Sequence, residues 1–214
     1  MAGFPMTAQT VLLTGFEPFE GATINTSWEI ARTLDGETIA GHRVAGIRLP
    51  VVFGDALAVL REALGRTRPA VVICLGFAAL RPRISIERIA INVDDARIPD
   101  NLGRQPVDTA IVAEGPSAYF STLPIKKILH ALNDAGIAAE ISQTAGTYVC
   151  NHVFYGLMHE LATHPQVRGG FIHVPPMVDS EETAGMPLET QVKGLRLAIE
   201  ATLSASRNTG AFDR

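Results

Sequence analysis

Short apolar runs that read as β-strands alternate with segments of helical periodicity along the whole chain, and this alternation restricts the fold to an α/β architecture. The strand-like runs lie near Thr10 to Thr14, Arg43 to Leu49, Ala70 to Leu75, Ile84 to Val93, Ile137 to Ser142 and Gly170 to Val174. Ala70-Val-Val-Ile-Cys-Leu-Gly76 is apolar without alternation, the pattern of a strand buried on both faces. A helix is predicted after Asn25 or Ser27, both favoured caps, through Trp28, Ile30, Ala31 and Leu34. The next carries Phe53, Ala56, Leu57, Leu60 and Leu64 on one face. A third starts at Pro124 with Ile125, Ile128, Leu129 and Leu132 inward, and a last one carries Leu188, Val192, Leu195, Ile199 and Leu203.

The 214 residues suit one domain spanning 1–214, with about 1–9 and 205–214 as flexible ends. A hydrophobic fraction of 47% with 19% charged residues supports a substantial core. The net charge of −4, without a basic cluster, lacks the electrostatic footprint of a nucleic-acid binder. The first ten residues hold no Lys or Arg to serve a signal peptide, and no apolar run is long enough to span a bilayer, so a cytoplasmic protein without membrane partners is expected. Two cysteines do not make a disulfide framework, and a reducing compartment keeps a thiol available.

Open α/β sheets bind ligands outside the carboxyl ends of their strands. That rule draws together Thr14-Gly-Phe-Glu-Pro-Phe19 after the first strand, Cys150 after the strand ending near Ser142, and His173 at the end of the strand to Val174. In Ser142-Gln-Thr-Ala-Gly-Thr-Tyr-Val-Cys150-Asn151 a strand gives way to a helix whose apolar face carries Val153, Phe154, Leu157, Met158 and Leu161. Cys150 therefore falls in a first helical turn, where free N–H groups and the helix dipole favour a thiolate and lower the thiol pKa. The alternative reading is a small buried hydrophobe, which is the reading of Cys74 within its apolar strand.

A cysteine nucleophile needs a base, and the chain offers six histidines. His152 points about 200° round the helix from Cys150; His159 and His164 lie more than two turns on, and His42 and His130 sit in no motif. His173, at a strand end stopped by Pro175 and Pro176, is best placed. A third group should orient the imidazole. In Ile84-Ser-Ile-Glu87-Arg-Ile-Ala-Ile-Asn-Val93 the apolar alternation changes phase across Glu87 and Arg88, which predicts a β-bulge of the kind that re-aims side chains. A solvated Glu–Arg pair is the alternative. Residues 92–106 form the longest polar stretch and are a candidate active-site lid.

Gly76-Phe-Ala-Ala-Leu-Arg-Pro-Arg-Ile-Ser-Ile-Glu87-Arg-Ile-Ala-Ile-Asn92 and Ile141-Ser-Gln-Thr-Ala-Gly-Thr-Tyr-Val-Cys150-Asn151 closely resemble the two signatures of the pyroglutamyl peptidase I (pyrrolidone carboxyl peptidase) family. Leu12 to Phe19, Asn25 to Glu29, Asp95 to Asn101, Ala118 to Phe120, Leu123 to Lys126 and Gly170 to His173 resemble it in the same order, so the likeness covers about residues 10–200. It implies a three-layer α/β/α single domain with a mixed twisted sheet, similar to the phosphorylase/hydrolase-like fold. It also implies a cofactor-free, metal-free cysteine peptidase that removes N-terminal pyroglutamate from peptides, with Cys150, His173 and Glu87 catalytic, and commonly a homotetramer in bacteria.

By the same resemblance Arg97 joins the Cys150 N–H in stabilising the oxyanion, although by itself it reads as a solvated loop arginine. Phe16, Phe19, Asn25, Phe77 and Tyr148 are assigned to the lactam pocket; Phe16 and Phe19 also suit a core, and Asn25 a helix cap. Phe77 stands where many bacterial members carry Gln, and Val174-Pro-Pro-Met-Val-Asp-Ser180 departs from the usual continuation, so lactam affinity and the outer rim are open. A nucleoside phosphorylase-like enzyme is the runner-up, though no phosphate-cradling motif is present. The other alternative is a non-catalytic pyroglutamyl-binding homologue. Neither Cys150-Asn-His152 nor His159-Glu160 completes a metal ligand set.

Overall fold

The computed structural model describes residues 9–178 and 185–206. Among these, β1 (Thr10–Phe16), β2 (Thr38–Ile39), β3 (His42–Leu49), β4 (Val71–Phe77), β5 (Ile84–Glu87), β8 (Ala139–Ser142) and β9 (Arg168–Val174) form one sheet in the order β2-β3-β1-β4-β9-β5-β8. The strands β6 (Ile89–Ile91) and β7 (Ala118–Phe120) make a separate antiparallel pair. The helices are α1 (Thr26–Leu34), α2 (Asp55–Thr67), α3 (Ile125–Asp134), α4 (Val149–Leu161) and α5 (Leu188–Leu203). Most of the flexible ends expected at 1–9 and 205–214 lie outside the described residues, as does the rim segment 179–184.

The central strands β3, β1, β4 and β9 are parallel. Their side chains alternate between the two faces. Val11, Leu13, Ile73, Leu75, Ile172 and Val174 enter one core with residues of α1, α3 and α5. Leu12, Phe16, Val72, Cys74 and Phe171 enter the other with α2 and α4. Helices on both faces explain why β4 reads as an unbroken apolar run, and they make the expected α/β/α layers around a mixed sheet.

The sheet changes direction at β5, which runs antiparallel to β9 and parallel to β8. The carboxyl end of β8 therefore points away from those of β1, β4 and β9. Cys150 reaches the common crevice through the connection 143–148, not by strand polarity.

The predicted strand over Ile84 to Val93 divides after Glu87, and no bulge is formed. A bulge leaves a strand in one ladder, whereas this chain changes sheets. Ile84 and Ile86 pack in the α3/α5 core, Ala90 packs in the α2/α4 core, and β6 takes β7 as its partner. The change of alternation phase records that crossing. The second helix also begins later than its pattern suggests: Gly54 caps it with φ 79°, leaving Phe53 outside. Asn25 caps α1 as expected, accepting from Ser27 N at 3.1 Å, and Pro124 occupies the cap position of α3.

Close approach of α1 to the end of β1 requires Gly15. A Cβ built there would lie 2.3 Å from Ser27 O and 2.5 Å from Trp28 N, both backbone atoms that cannot turn aside. Gly15→Ala is expected to destabilise the protein by about 1–3 kcal/mol, the usual cost of overpacking. Urea unfolding monitored by circular dichroism would check it; a midpoint equal to that of the native protein would contradict this packing.

Candidate active site

Cys150 is the second residue of α4, in the turn whose N–H groups have no acceptor within the helix. It lines a cavity of about 180 Å³ whose aromatic walls are Phe16, Phe19, Phe77 and Tyr148. Asn25 and His173 supply polar edges, and Val51, Ala145 and Val149 complete the lining. All five residues assigned to the lactam pocket by resemblance thus border the same space as the thiol and the imidazole. Asn25 lines the cavity and also caps α1. Its Oδ1 accepts from Ser27 N and Ser27 Oγ while Nδ2 donates to Glu17 O, so its orientation is fixed.

Register explains the meeting of His173 and Glu87. Ser85 stands opposite His173 across the antiparallel β5/β9 pair, so Glu87, two residues on, lies diagonally from His173 on the same face. The His173 Nδ1–H donates to Glu87 Oε1 at 2.7 Å, with Glu87 0% exposed. That bond leaves Nε2 as the nitrogen available to the cavity. On the other side of β9, Gly76 is the register partner of His173. A Cβ on Gly76 would lie 2.9 Å from Cys150 Sγ and 2.7 Å from Phe171 Cε1, so this glycine makes room for the thiol beside the histidine strand.

The thiol environment differs from the expectation of a lowered pKa. Burial, followed by the charge of Glu87, pushes the Cys150 thiol up to about 12, against a lowering by Arg81. Desolvation in an apolar pocket outweighs the dipole at the start of α4. A thiol raised in this way is held in its neutral form at neutral pH, so a nucleophilic role for Cys150 would call for a base. Cys74 is fully buried on β4 and is also pushed up to about 12 by burial. Tyr148 is raised to about 12 by burial and by Asp100, and its neutral hydroxyl donates to Pro99 O at 3.0 Å.

The polar segment 92–106 is fastened at many points. Asp100 accepts from Phe53 N, Leu102 N and Arg104 N, while Asn101 N donates to Val51 O. Asp95 N donates to Thr147 O, and Thr147 Oγ1 donates to Asp95 O at 2.7 Å. Those bonds hold the segment against the connection into α4. Arg97 itself is exposed, is absent from the cavity wall and makes no side-chain hydrogen bond among the described residues.

Several site residues carried no sequence signal of their own. Arg81 reaches Glu87 Oε1 at 2.6 Å, although nothing in its spacing distinguishes it from Arg83. Asn151 clamps β6, accepting from Ile91 N and donating to Ile91 O and Val93 O. His152 turns away from the thiol as its helical angle requires: Nε2 accepts from Gly54 N and Nδ1 donates to Asp94 Oδ2 at 2.7 Å.

A model of the pyroglutamyl peptidase family matches residues 9–205. The chain belongs to the pyroglutamyl peptidase family. Pyrrolidone-carboxylate peptidase 1 of Ralstonia nicotianae is 58% identical over 201 residues, covering 91% of this chain and 93% of its own. The crystal structure of pyroglutamyl peptidase I from Bacillus amyloliquefaciens superposes with a TM-score of 0.88 at 44% identity, covering 92% of this chain and 98% of that one. A variant of the pyrrolidone carboxyl peptidase of the hyperthermophile Pyrococcus furiosus gives 0.87 at 46% identity, covering 91% and 98%. Against this family background, the cavity shared by Cys150 and His173 is the place to look for the pyroglutamyl peptidase chemistry.

The raised thiol pKa sets a pH dependence. Below a raised pKa the acid is neutral, so the thiolate fraction rises tenfold for each pH unit throughout the neutral range. Alkylation of Cys150 by iodoacetamide, located by mass spectrometry, is expected to accelerate steadily from pH 7 to pH 9, by about tenfold per unit. A rate already on a plateau at pH 7 would mean a preformed thiolate.

Proposed function

We propose that the cavity binds the pyroglutamyl residue at the amino terminus of a peptide, and that Cys150, His173 and Glu87 hydrolyse the bond following it. The observation that carries this reading is one crevice holding a thiol, a histidine whose Nδ1 is fixed by a buried carboxylate, and aromatic walls. A five-membered lactam is flat and carries no charge on its ring nitrogen. Aromatic walls with a few fixed amide-type partners suit it, and no carboxylate is needed because there is no charged amino terminus to hold.

The steps follow from the geometry. His173 Nε2 takes the proton of Cys150 as Sγ bonds to the carbonyl carbon, and negative charge moves to the carbonyl oxygen. The tetrahedral species collapses as the C–N bond breaks, and the imidazolium gives its proton to the departing amine. A thioester remains on Cys150. Water then loses a proton to His173 and attacks the same carbon; the C–S bond breaks and the sulfur is reprotonated. Glu87 keeps the imidazole in one orientation and offsets its charge whenever it is protonated.

The Cys150 N–H is one proposed oxyanion donor, and Arg97 is the second. The two hydrogen bonds between Asp95 and Thr147 support that assignment, because they bring the Arg97 segment beside the start of α4. Arg97 is exposed, and in this reading its guanidinium swings in over bound substrate. Phe77 gives this pocket an apolar wall, which leaves lactam recognition to the backbone and to Asn25.

We further propose a cytoplasmic homotetramer. Two free cysteines fit a reducing compartment, and no described helix is long and apolar enough to cross a membrane. The strongly exposed Leu80, Leu102 and Val107 offer apolar surface for subunit contacts.

Hydrolysis of a pyroglutamyl amide bearing a chromogenic amine tests the reading. The native protein and Cys74→Ser should release the amine, while Cys150→Ser should fall to background. Arg97→Ala should lose about 10²–10³ in kcat, the cost of one oxyanion donor. No release by folded native protein under reducing conditions would overturn the assignment, and equal loss in both cysteine variants would indicate damage to folding.

A further inference from the structure

Glu87 is a fully buried carboxylate whose Oε2 has no partner among the described residues. Both of its contacts are made at Oε1: His173 Nδ1 at 2.7 Å and Arg81 Nη1 at 2.6 Å. The same guanidinium extends to the end of β8, where Nη1 donates to Ser142 Oγ at 3.2 Å and Nη2 donates to Thr144 O at 3.0 Å. Ser142 Oγ in turn donates to Thr144 O and accepts from Thr144 N. One planar fork therefore joins the carboxylate that holds the imidazole to the connection that delivers Cys150.

We propose that Arg81 is a positioning residue for this site, fixing Glu87 against His173 and tying that pair to the β8–α4 connection through Ser142 and Thr144. The inference rests on the peptidase reading for its effect on turnover, but not for its effect on the imidazole. A buried carboxylate is costly unless paired, and a histidine donates one hydrogen bond to it without permanently neutralising it. Arg81 supplies the permanent charge. Its side chain is 29% exposed, so it sits at the edge of the protein and reaches inward. It also opposes the effect of Glu87 on the thiol, since the two act on Cys150 with opposite sign. Lysine can place a charge near Glu87, but a single ammonium cannot reproduce the planar fork that reaches two separated acceptors.

The test combines kinetics with a spectroscopic reading that needs no substrate. Proton NMR of the native protein should show downfield signals from the His173 Nδ1–H held by Glu87 and from the His152 Nδ1–H held by Asp94, assigned with His173→Gln and His152→Gln. In Arg81→Met the His173 signal should shift or broaden away while the His152 signal stays as internal control. The kcat for a pyroglutamyl amide should fall about ten- to a hundredfold with KM within about threefold, comparable to losing a group that orients a metal-bound histidine. Arg81→Lys should recover the His173 signal and part of kcat. If Arg81→Met does not fold, Arg81→Gln, which keeps a polar end at the protein edge, takes its place with the same expectations. An unmoved His173 signal with native kcat, or a loss confined to KM, would overturn the proposal. If the native protein does not turn over the amide at all, the peptidase reading fails, and the His173 signal alone decides the role of Arg81.

Discussion

The site depends on the hydrogen bond between Glu87 and His173, and that bond depends on β5 running against β9. In a wholly parallel sheet the strand beside β9 would present its carboxyl end at the same edge. Here the reversal sets Ser85 opposite His173 and leaves Glu87 on the diagonal, deep in the sheet rather than in a loop at its rim. A buried carboxylate has a large desolvation cost, which its partners must offset. The two hydrogen bonds at Oε1 do so, and each of them points to another part of the site.

The cavity shows the consequence of placing a thiol in apolar surroundings. Aromatic walls suit a flat neutral ring, but they also desolvate the thiol and push its pKa upward. A helix N-terminus stabilises an exposed anion by only about 0.3–1 kcal/mol, and it cannot offset burial and a nearby carboxylate together. In the proposed mechanism the imidazole therefore acts with the thiol during attack, which makes its orientation decisive. The rigid surroundings serve that need. Phe53 packs edge-on to both Tyr148 and His152 at 5.4 Å, and Asn151 holds β6 to α4. Cys150 lies between these anchored neighbours.

Much of this arrangement was legible in the sequence because it follows from periodicity. The unbroken apolar run of β4 announces a sheet covered on both faces, and Asn25 and Pro124 place two helix starts. The opening of α4 puts Cys150 at a helix terminus, and the helical angle turns His152 away from it. What was not legible depends on partners distant along the chain. The phase change at Glu87 and Arg88 is compatible with a bulge or with a crossing between sheets, and only the pairing of β6 with β7 decides between them. Strand direction at β5 has no local signature, so the diagonal contact of Glu87 with His173 could not be read from spacing. Arg81 is equally silent beside Arg83. The upward push on the Cys150 thiol runs against the expectation because the helix terminus is visible in sequence, whereas the desolvating walls come from separate segments.

The central claim is that Glu87 acts through His173, and a double-mutant cycle tests it most directly. Turnover of a pyroglutamyl amide would be measured for Glu87→Gln, His173→Gln and the combined variant, with folding checked for each. The account predicts that Glu87→Gln loses at least about a hundredfold in kcat and that the combined variant is no slower than His173→Gln alone, because the carboxylate has nothing to orient once the imidazole is gone. Losses that multiply in the combined variant would contradict it, since they would give Glu87 a role independent of the histidine.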